Sequence, residues 1–221
     1  MTRLLRALPL ASLALTAACA TMEQHDYSAY REHMPRSILV LPPLNESVDV
    51  NASYVWLSTI TNPVAERGYY VFPVAVVDAF MKDNGMPGPD EMHGVSLEKL
   101  REVFGADAVL YVVIEDWGQK YVLLSSNTVV RARARLVDTA TGTEIWHGRA
   151  DFTESSGGGG GGGLESLIVM AISAAIEQIV DTTADATHGV ARRANFLMVY
   201  DEQQGFLPGP RSPTKDASDS R

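Results

Sequence analysis

Cys19 is the single thiol among 221 residues, and a single thiol makes no disulfide within its own chain. Three roles are left to it: a small buried hydrophobe, a residue discarded with a leader, or a nucleophile that carries a modification. The five histidines stand at 25, 33, 93, 147 and 188. They form no i, i+4 pair of the kind that binds zinc on a helix and have no CxxC partner, so the spacing supports no metal site. Serine, histidine and aspartate are present without a G-x-S-x-G elbow, so no nucleophile is announced and the expectation is a protein without enzymatic activity. Seven glycines, Gly157–Gly163, suggest a phosphate cradle. Leu164 and Glu165 follow where a P-loop needs Lys and Ser/Thr, so the run reads as a flexible loop and no cofactor is expected.

One polar pattern remains. Arg131, Arg133 and Arg135 alternate with Val130, Ala132, Ala134 and Leu136, which is the period of a strand with one buried and one wet face. The stripe is read as a solvated face paired with acids on the next strand, Asp151 and Glu144 being the candidates. Its alternative is a patch for anionic lipid headgroups or a peptidoglycan carboxylate. Trp56, Trp117 and Trp146 are expected in core or edge packing.

The thiol acquires meaning from what precedes it. Arg3 and Arg6 form a positive start, "ALPLASLALTAA" is an apolar run of about a dozen residues, and small residues follow, as in an export leader spanning 1–18. The run falls short of the roughly 20 residues a membrane-spanning helix needs. "LTAAC" resembles the lipobox of bacterial lipoproteins, in which the cysteine is acylated and becomes the new N-terminus. Ala18 fits that pattern, while Thr16 stands where Leu, Val or Ile is usual and Leu15 lies one place further out. The competing reading is ordinary cleavage after Ala20, which discards Cys19. With acylation, the multiple chains meet the requirement for stable anchoring, and by resemblance to lipoproteins of diderm bacteria Ala20 implies an outer-membrane address facing the periplasm.

Behind the anchor, residues 19–36 read as a lipidated tether and residues 37–200 as one domain. "SILVLPPL" is a first strand stopped by Pro42 and Pro43. "NASYVWLSTITNPVAERG" reads as a helix capped at Asn51 or Ser53, kinked near Pro63 and stopped at Gly68. "YYVFP" reads as a strand, "VAVVDAFMKDNG" as a helix ended by Gly85, and "MPGPDEMHG" as a loop. "SLEKLREVFG" has a Ser96 cap, an apolar face at Leu97, Leu100, Val103 and Phe104, and Gly105 just past its end. "ADAVLYVVIEDW" is nearly continuously apolar, as suits a central strand covered on both faces. Strands from Lys120 to Glu154 then pair antiparallel about the turn "TATG". The stretch after the glycines begins as a helix whose small-residue face, Leu167, Ile168, Ala171, Ala174, Ala175 and Ile179, suits either intradomain packing or a homodimer. Residues 201–221, rich in Pro, Ser and Asp, are expected to be disordered.

The chain carries 18 Lys and Arg against 27 Asp and Glu, a formal net charge of −9 that loss of Arg3 and Arg6 takes to −11. That balance repels phosphate backbones, so nucleic acid is not an expected partner. "SILVLPPLNESVDVNA", "PVAERGYYVFPV", "FGADAVLYVVIEDW" and the "LVDTATGTEIWHGRA" hairpin, with the glycine loop before a small-residue helix, resemble a family of bacterial lipoproteins typified by a meningococcal genome-derived antigen. The resemblance covers roughly residues 19–200. It implies an α/β fold with a single mixed β-sheet and packed helices, similar to the N-terminal domain of TolB, to the curli-secretion lipoprotein and to lipoprotein activators of penicillin-binding proteins. It transfers no catalytic residue, and only Cys19 matches a functional position. The reading is a lipid-anchored periplasmic accessory protein acting by contact with envelope proteins in assembly or secretion, a curli-type secretion lipoprotein among the candidate partners. The alternative is a lipoprotein that binds a small ligand or glycan between the sheet and loop 42–53.

Overall fold

The computed structural model of the chain describes residues 25–122, 125–155 and 186–213. Along it run α1 (Ser28–Glu32), β1 (Ser37–Val40), β2 (Leu44–Asn45), α2 (Ala52–Glu66), β3 (Tyr70–Val71), α3 (Val74–Asp83), α4 (Pro89–His93), α5 (Leu97–Phe104), β4 (Ala108–Val122), β5 (Ser125–Asp138), β6 (Glu144–Ser155) and α6 (Ala186–Tyr200). The strands form one mixed sheet in the order β3-β1-β4-β5-β6, with β2 pairing β4 beyond the end of β1. β1 lies parallel to β3 and β4, and β4, β5 and β6 are antiparallel. This is the α/β architecture expected, with the apolar "AVLYVVI" at its centre.

Period-two alternation divides the sheet's side chains between two cores. On one face Ile38, Val40, Leu110, Val112, Ile114, Ala132, Leu136 and Trp146 pack beneath α2 and α6, including Trp56, Ile60, Val190 and Val199. Burial of this set removes apolar surface worth roughly 25 cal/mol per Å² and is the main drive for the fold. On the other face Leu39, Leu41, Val109, Tyr111 and Val137 meet Val77, Met81, Met92 and Leu100 of α3, α4 and α5. All three tryptophans are buried.

Helix ends follow local chemistry. Ser96 Oγ accepts from the Lys99 N–H at 3.3 Å, and Gly105 takes the left-handed φ of +70° that closes α5. Asn51 stands at the N-cap position of α2, as expected, and Ser53 lies inside the helix. Asn51 makes no side-chain capping bond, and the Ser53 hydroxyl donates instead to the Pro43 carbonyl at 2.8 Å, tying the helix to the end of the first strand segment. "YYVFP" contributes only two paired residues. The segment expected as a loop contains α4, started by Pro89 at its first turn and held by the fully buried Met92.

Among the described residues, 25–36 and 201–213 dock on the folded unit beyond the boundaries drawn at 37 and 200. Tyr30 of α1 is fully buried and its hydroxyl donates to Tyr69 Oη at 2.9 Å; Tyr69 in turn donates to the Leu207 carbonyl at 2.6 Å. Burial pushes the Tyr69 phenol up to about 12. Phe206 packs edge-on against Tyr30, Tyr69 and Trp146. Gly205 accepts from Tyr27 Oη, and Arg67 Nε donates to the Phe206 carbonyl. The prolines of this segment bar regular structure without barring tertiary docking. Gly68, at φ +103°, admits the chain at Ser212, whose nitrogen would lie 2.4 Å from a Cβ there.

Candidate functional site

Cys19, the Gly157–Gly163 loop and the face Leu167–Ile179 lie outside the described residues. The arginine stripe lies within them, on the sheet face that α3–α5 leave open. Arg131 Nε is 3.2 Å from Asp151, as expected from strand pairing, and Nη1 is 3.7 Å from Asp116. Arg133 binds Glu115 and Glu46, each at 2.9 Å, rather than Glu144. Arg149 on β6 reaches the other oxygen of Glu115 at 2.7 Å.

The two acids on β4 were not anticipated. The pairing of β4 with β5 slips between Ile114 and Asp116, so Ile114 faces Ala132 and Asp116 faces Arg131. The extra residue of this bulge is Glu115, and it turns two successive carboxylates toward the arginines while Trp117 stays in the core. "IEDW" held the signal, since adjacent acids interrupt an otherwise apolar strand. Hydrogen bonds from Arg133 and then Arg149 hold the Glu115 carboxyl below the usual carboxylate range. Glu144 instead pairs with His147 Nδ1 at 3.2 Å.

Arg135 differs from its neighbours. Its cross-strand neighbours are Tyr111 and His147, and its guanidinium carbon sits 4.7 Å from the Tyr111 ring centroid. Among the described residues no carboxylate pairs with it. His93 of α4 stands edge-on to the same ring at 5.2 Å and, since a carbonyl only accepts, its Nε2 donates to the Pro42 oxygen at 2.9 Å. Burial pulls the His93 imidazole below its ordinary pKa, and the Arg135 charge adds to this, so the ring is neutral at pH 7. Burial also pushes the Tyr111 phenol up.

These groups line a cleft of about 380 Å³, with Leu44 and His93 on one wall, Tyr111, Val113, Arg133 and Arg135 on the floor, and Glu144, His147 and Arg149 on the far side. Arg133, Arg135 and Arg149 give this lining guanidinium hydrogen-bond donors. Among the described residues no cluster of three or more His, Cys, Asp or Glu is arranged to hold a metal.

Comparison with known proteins gives this surface its context. The family model described as "Putative lipoprotein GNA1162-like" matches residues 25–211. The chain belongs to the GNA1162-like lipoprotein family. It is 41% identical over 208 residues, 92% of this chain and 94% of the relative, to "Putative lipoprotein NMB1124/NMB1162" of Neisseria meningitidis serogroup B. It is also similar to the crystal structure of lipoprotein GNA1162 from Neisseria meningitidis, at 46% identity and a TM-score of 0.55, over 66% of this chain and 98% of that one. The GNA1162-like match begins at His25 and ends at Arg211, so it takes in both extensions of the fold seen here. The family name specifies a lipoprotein and no reaction.

Proposed function

We propose that the chain is an accessory lipoprotein of the cell envelope, held by acyl chains on Cys19 at the periplasmic face of the outer membrane and acting by protein contact in envelope assembly or secretion. Family membership and the lone thiol behind an export leader support the anchor. Acylation confines the domain to a surface and so raises its effective concentration near envelope partners. The observation that carries the contact reading is a run of large hydrophobics left in solvent. Val48 and Val50 are 94% and 82% exposed, Val76 is 65% exposed, and Tyr54, Phe80 and Val103 are also exposed. Tyr54 Oη accepts from Lys82 of α3 at 3.0 Å, and Phe80 contacts Phe104 of α5 with centroids 5.4 Å apart. Exposed apolar side chains gathered into a patch mark protein contacts, and we read these six as such a contact surface.

The test is a pulldown from detergent-solubilised envelopes, run with wild type, Cys19→Ala and Val50→Asp/Val76→Asp, together with palmitate labelling and mass spectrometry of the mature chain. Wild type is expected to be labelled and to recover a partner. Cys19→Ala loses the label and leaves the membrane fraction, and the double variant keeps the label but loses the partner. A mature chain that starts unacylated at Thr21 would remove the anchor. Equal recovery by the double variant would remove the contact surface.

The cleft supports the second reading. It lies between the sheet and the segment carrying Leu44, within the region marked for a small ligand or glycan, and its volume is that of a small-molecule site.

A further inference from the structure

We infer that the cleft is an oxyanion site, taking a phosphate or carboxylate group with Arg135 as its principal donor. The inference rests on the ligand-binding reading of the cleft and names the chemistry of its ligand. Three arginines line the cleft, and their partners separate them. Arg133 is held by two carboxylates at 2.9 Å and Arg149 by one at 2.7 Å, whereas Arg135 has a carboxylate partner nowhere among the described residues. What holds it is the Tyr111 ring at 4.7 Å, and Tyr111 is itself buried. A guanidinium laid on an aromatic face uses its π surface there and keeps its in-plane N–H donors, which match the paired oxygens of a carboxylate or phosphate. The ring also limits the rotamers Arg135 samples, so less freedom is lost when an anion binds.

The remaining groups do not fill that role. Glu144, the carboxylate in the lining, is engaged by His147. His93 spends its N–H on Pro42. At the roughly 30 Å³ that a water occupies in the liquid, about 380 Å³ holds on the order of a dozen non-hydrogen atoms, so an oxyanion with a small polar body fits. The cleft is also tied to the chain's start, because the His25 ring meets the His147 ring at 5.0 Å. Cys19 lies six residues before His25, a reach of at most about 20 Å when extended. With Cys19 acylated, the oxyanion has two accessible sources, a lipid headgroup of the same bilayer and a soluble molecule near it.

The test titrates the full chain in detergent micelles with inorganic phosphate, D-glucuronate and uncharged glucose by calorimetry, and with phosphatidylglycerol against phosphatidylcholine vesicles by flotation. Wild type, Arg135→Gln and Arg131→Gln are compared; Arg131 lies outside the cleft and controls for net charge. The expected result is saturable binding of at least one oxyanion probe, weakened tenfold or more by Arg135→Gln and by less than twofold by Arg131→Gln. The Arg135 Nε–Hε resonance of wild type should shift with the same probe, which keeps the test valid if a variant fails to fold. Binding confined to phosphatidylglycerol vesicles assigns the headgroup as source; binding of phosphate or glucuronate in solution assigns a soluble ligand. Saturation by none of the three oxyanions, or equal weakening by both variants, overturns the inference. Glucose bound equally by wild type and Arg135→Gln would keep the cleft as a ligand site while removing its oxyanion.

Discussion

Replacing Phe206 by Ala tests whether the proline-rich segment after α6 is part of the folded unit. Phe206 is 1% exposed and stands among Tyr30, Tyr69 and Trp146, with ring centroids at 6.2, 6.1 and 4.4 Å. It therefore joins α1, the start of β3 and β6 in one aromatic cluster, and the substitution empties the middle of it. Truncating a buried Phe to Ala costs about 3–5 kcal/mol from lost transfer energy and the cavity left behind. Domains hold only about 5–15 kcal/mol in total, so this is a large fraction. For a chain of this size about 1 kcal/mol shifts Tm by 2–4 °C, which gives a fall of roughly 10 °C. The assay is urea unfolding followed by tryptophan fluorescence and far-ultraviolet circular dichroism in parallel. Trp146 lies against the cavity, whereas dichroism reports the whole fold. Coincident transitions with a lower midpoint and an unchanged slope are expected, since the segment unfolds with the domain. A loss below about 1 kcal/mol would be the behaviour of a surface position and would refute the docking of 201–213.

Two further outcomes follow from the cleft and its floor. Gly148→Ala places a Cβ 2.3 Å from Cζ2 of Trp146, whose indole N–H donates to the Gln204 carbonyl at 2.6 Å; the ring must move and give up that bond. Overpacking and the lost hydrogen bond together cost about 2–4 kcal/mol, read as a lower thermal midpoint, and an unchanged midpoint counts against the packing. His93 is expected to titrate below the unfolded value of about 6.5, because burial and then Arg135 disfavour its charged form. With the folded pKa lowered, its stabilising contribution is complete above about pH 6.5 and is lost as pH falls through the folded value. In NMR titration the His93 midpoint should rise in Arg135→Gln, and a wild-type midpoint at or above 6.5 would contradict the burial.

Most of the architecture was legible because the sheet's two periods are local properties. The arginine alternation identified β5 and its faces, the Ser96 and Gly105 signals bounded α5, and the apolar run identified β4 as central. Three features were hidden because they depend on tertiary context. The bulge at Glu115 moves a carboxylate across the pleat by adding one residue to one strand, and strand alternation alone locates no such slip. Tyr30 and Phe206 lie in segments whose composition is that of linkers, and only their meeting with Tyr69 and Trp146 makes them core. Arg135 shares its sequence pattern with Arg131 and Arg133 and is distinguished by Tyr111, a residue 24 positions away that pairs with it across the sheet.

The cleft's position follows from a mismatch of lengths. At about 3.3 Å per residue the 15-residue β4 is roughly 50 Å long, whereas α3 and α5, of 10 and 8 residues, extend only about 12–15 Å. Helices that short cover one end of the face, where Leu39, Val109 and Val137 are apolar, and among the described residues no helix covers the rest. Beyond the helices the strands carry arginines and carboxylates that pair with one another across the sheet. Tyr111 stands at the boundary, buried beneath α4 on one side and presenting its ring to the open face on the other. The strand neighbour of that ring is Arg135, which is exposed and lies over the ring. Arg135, held over the Tyr111 ring, leaves a cation with unspent donors where the sheet surface forms a cleft.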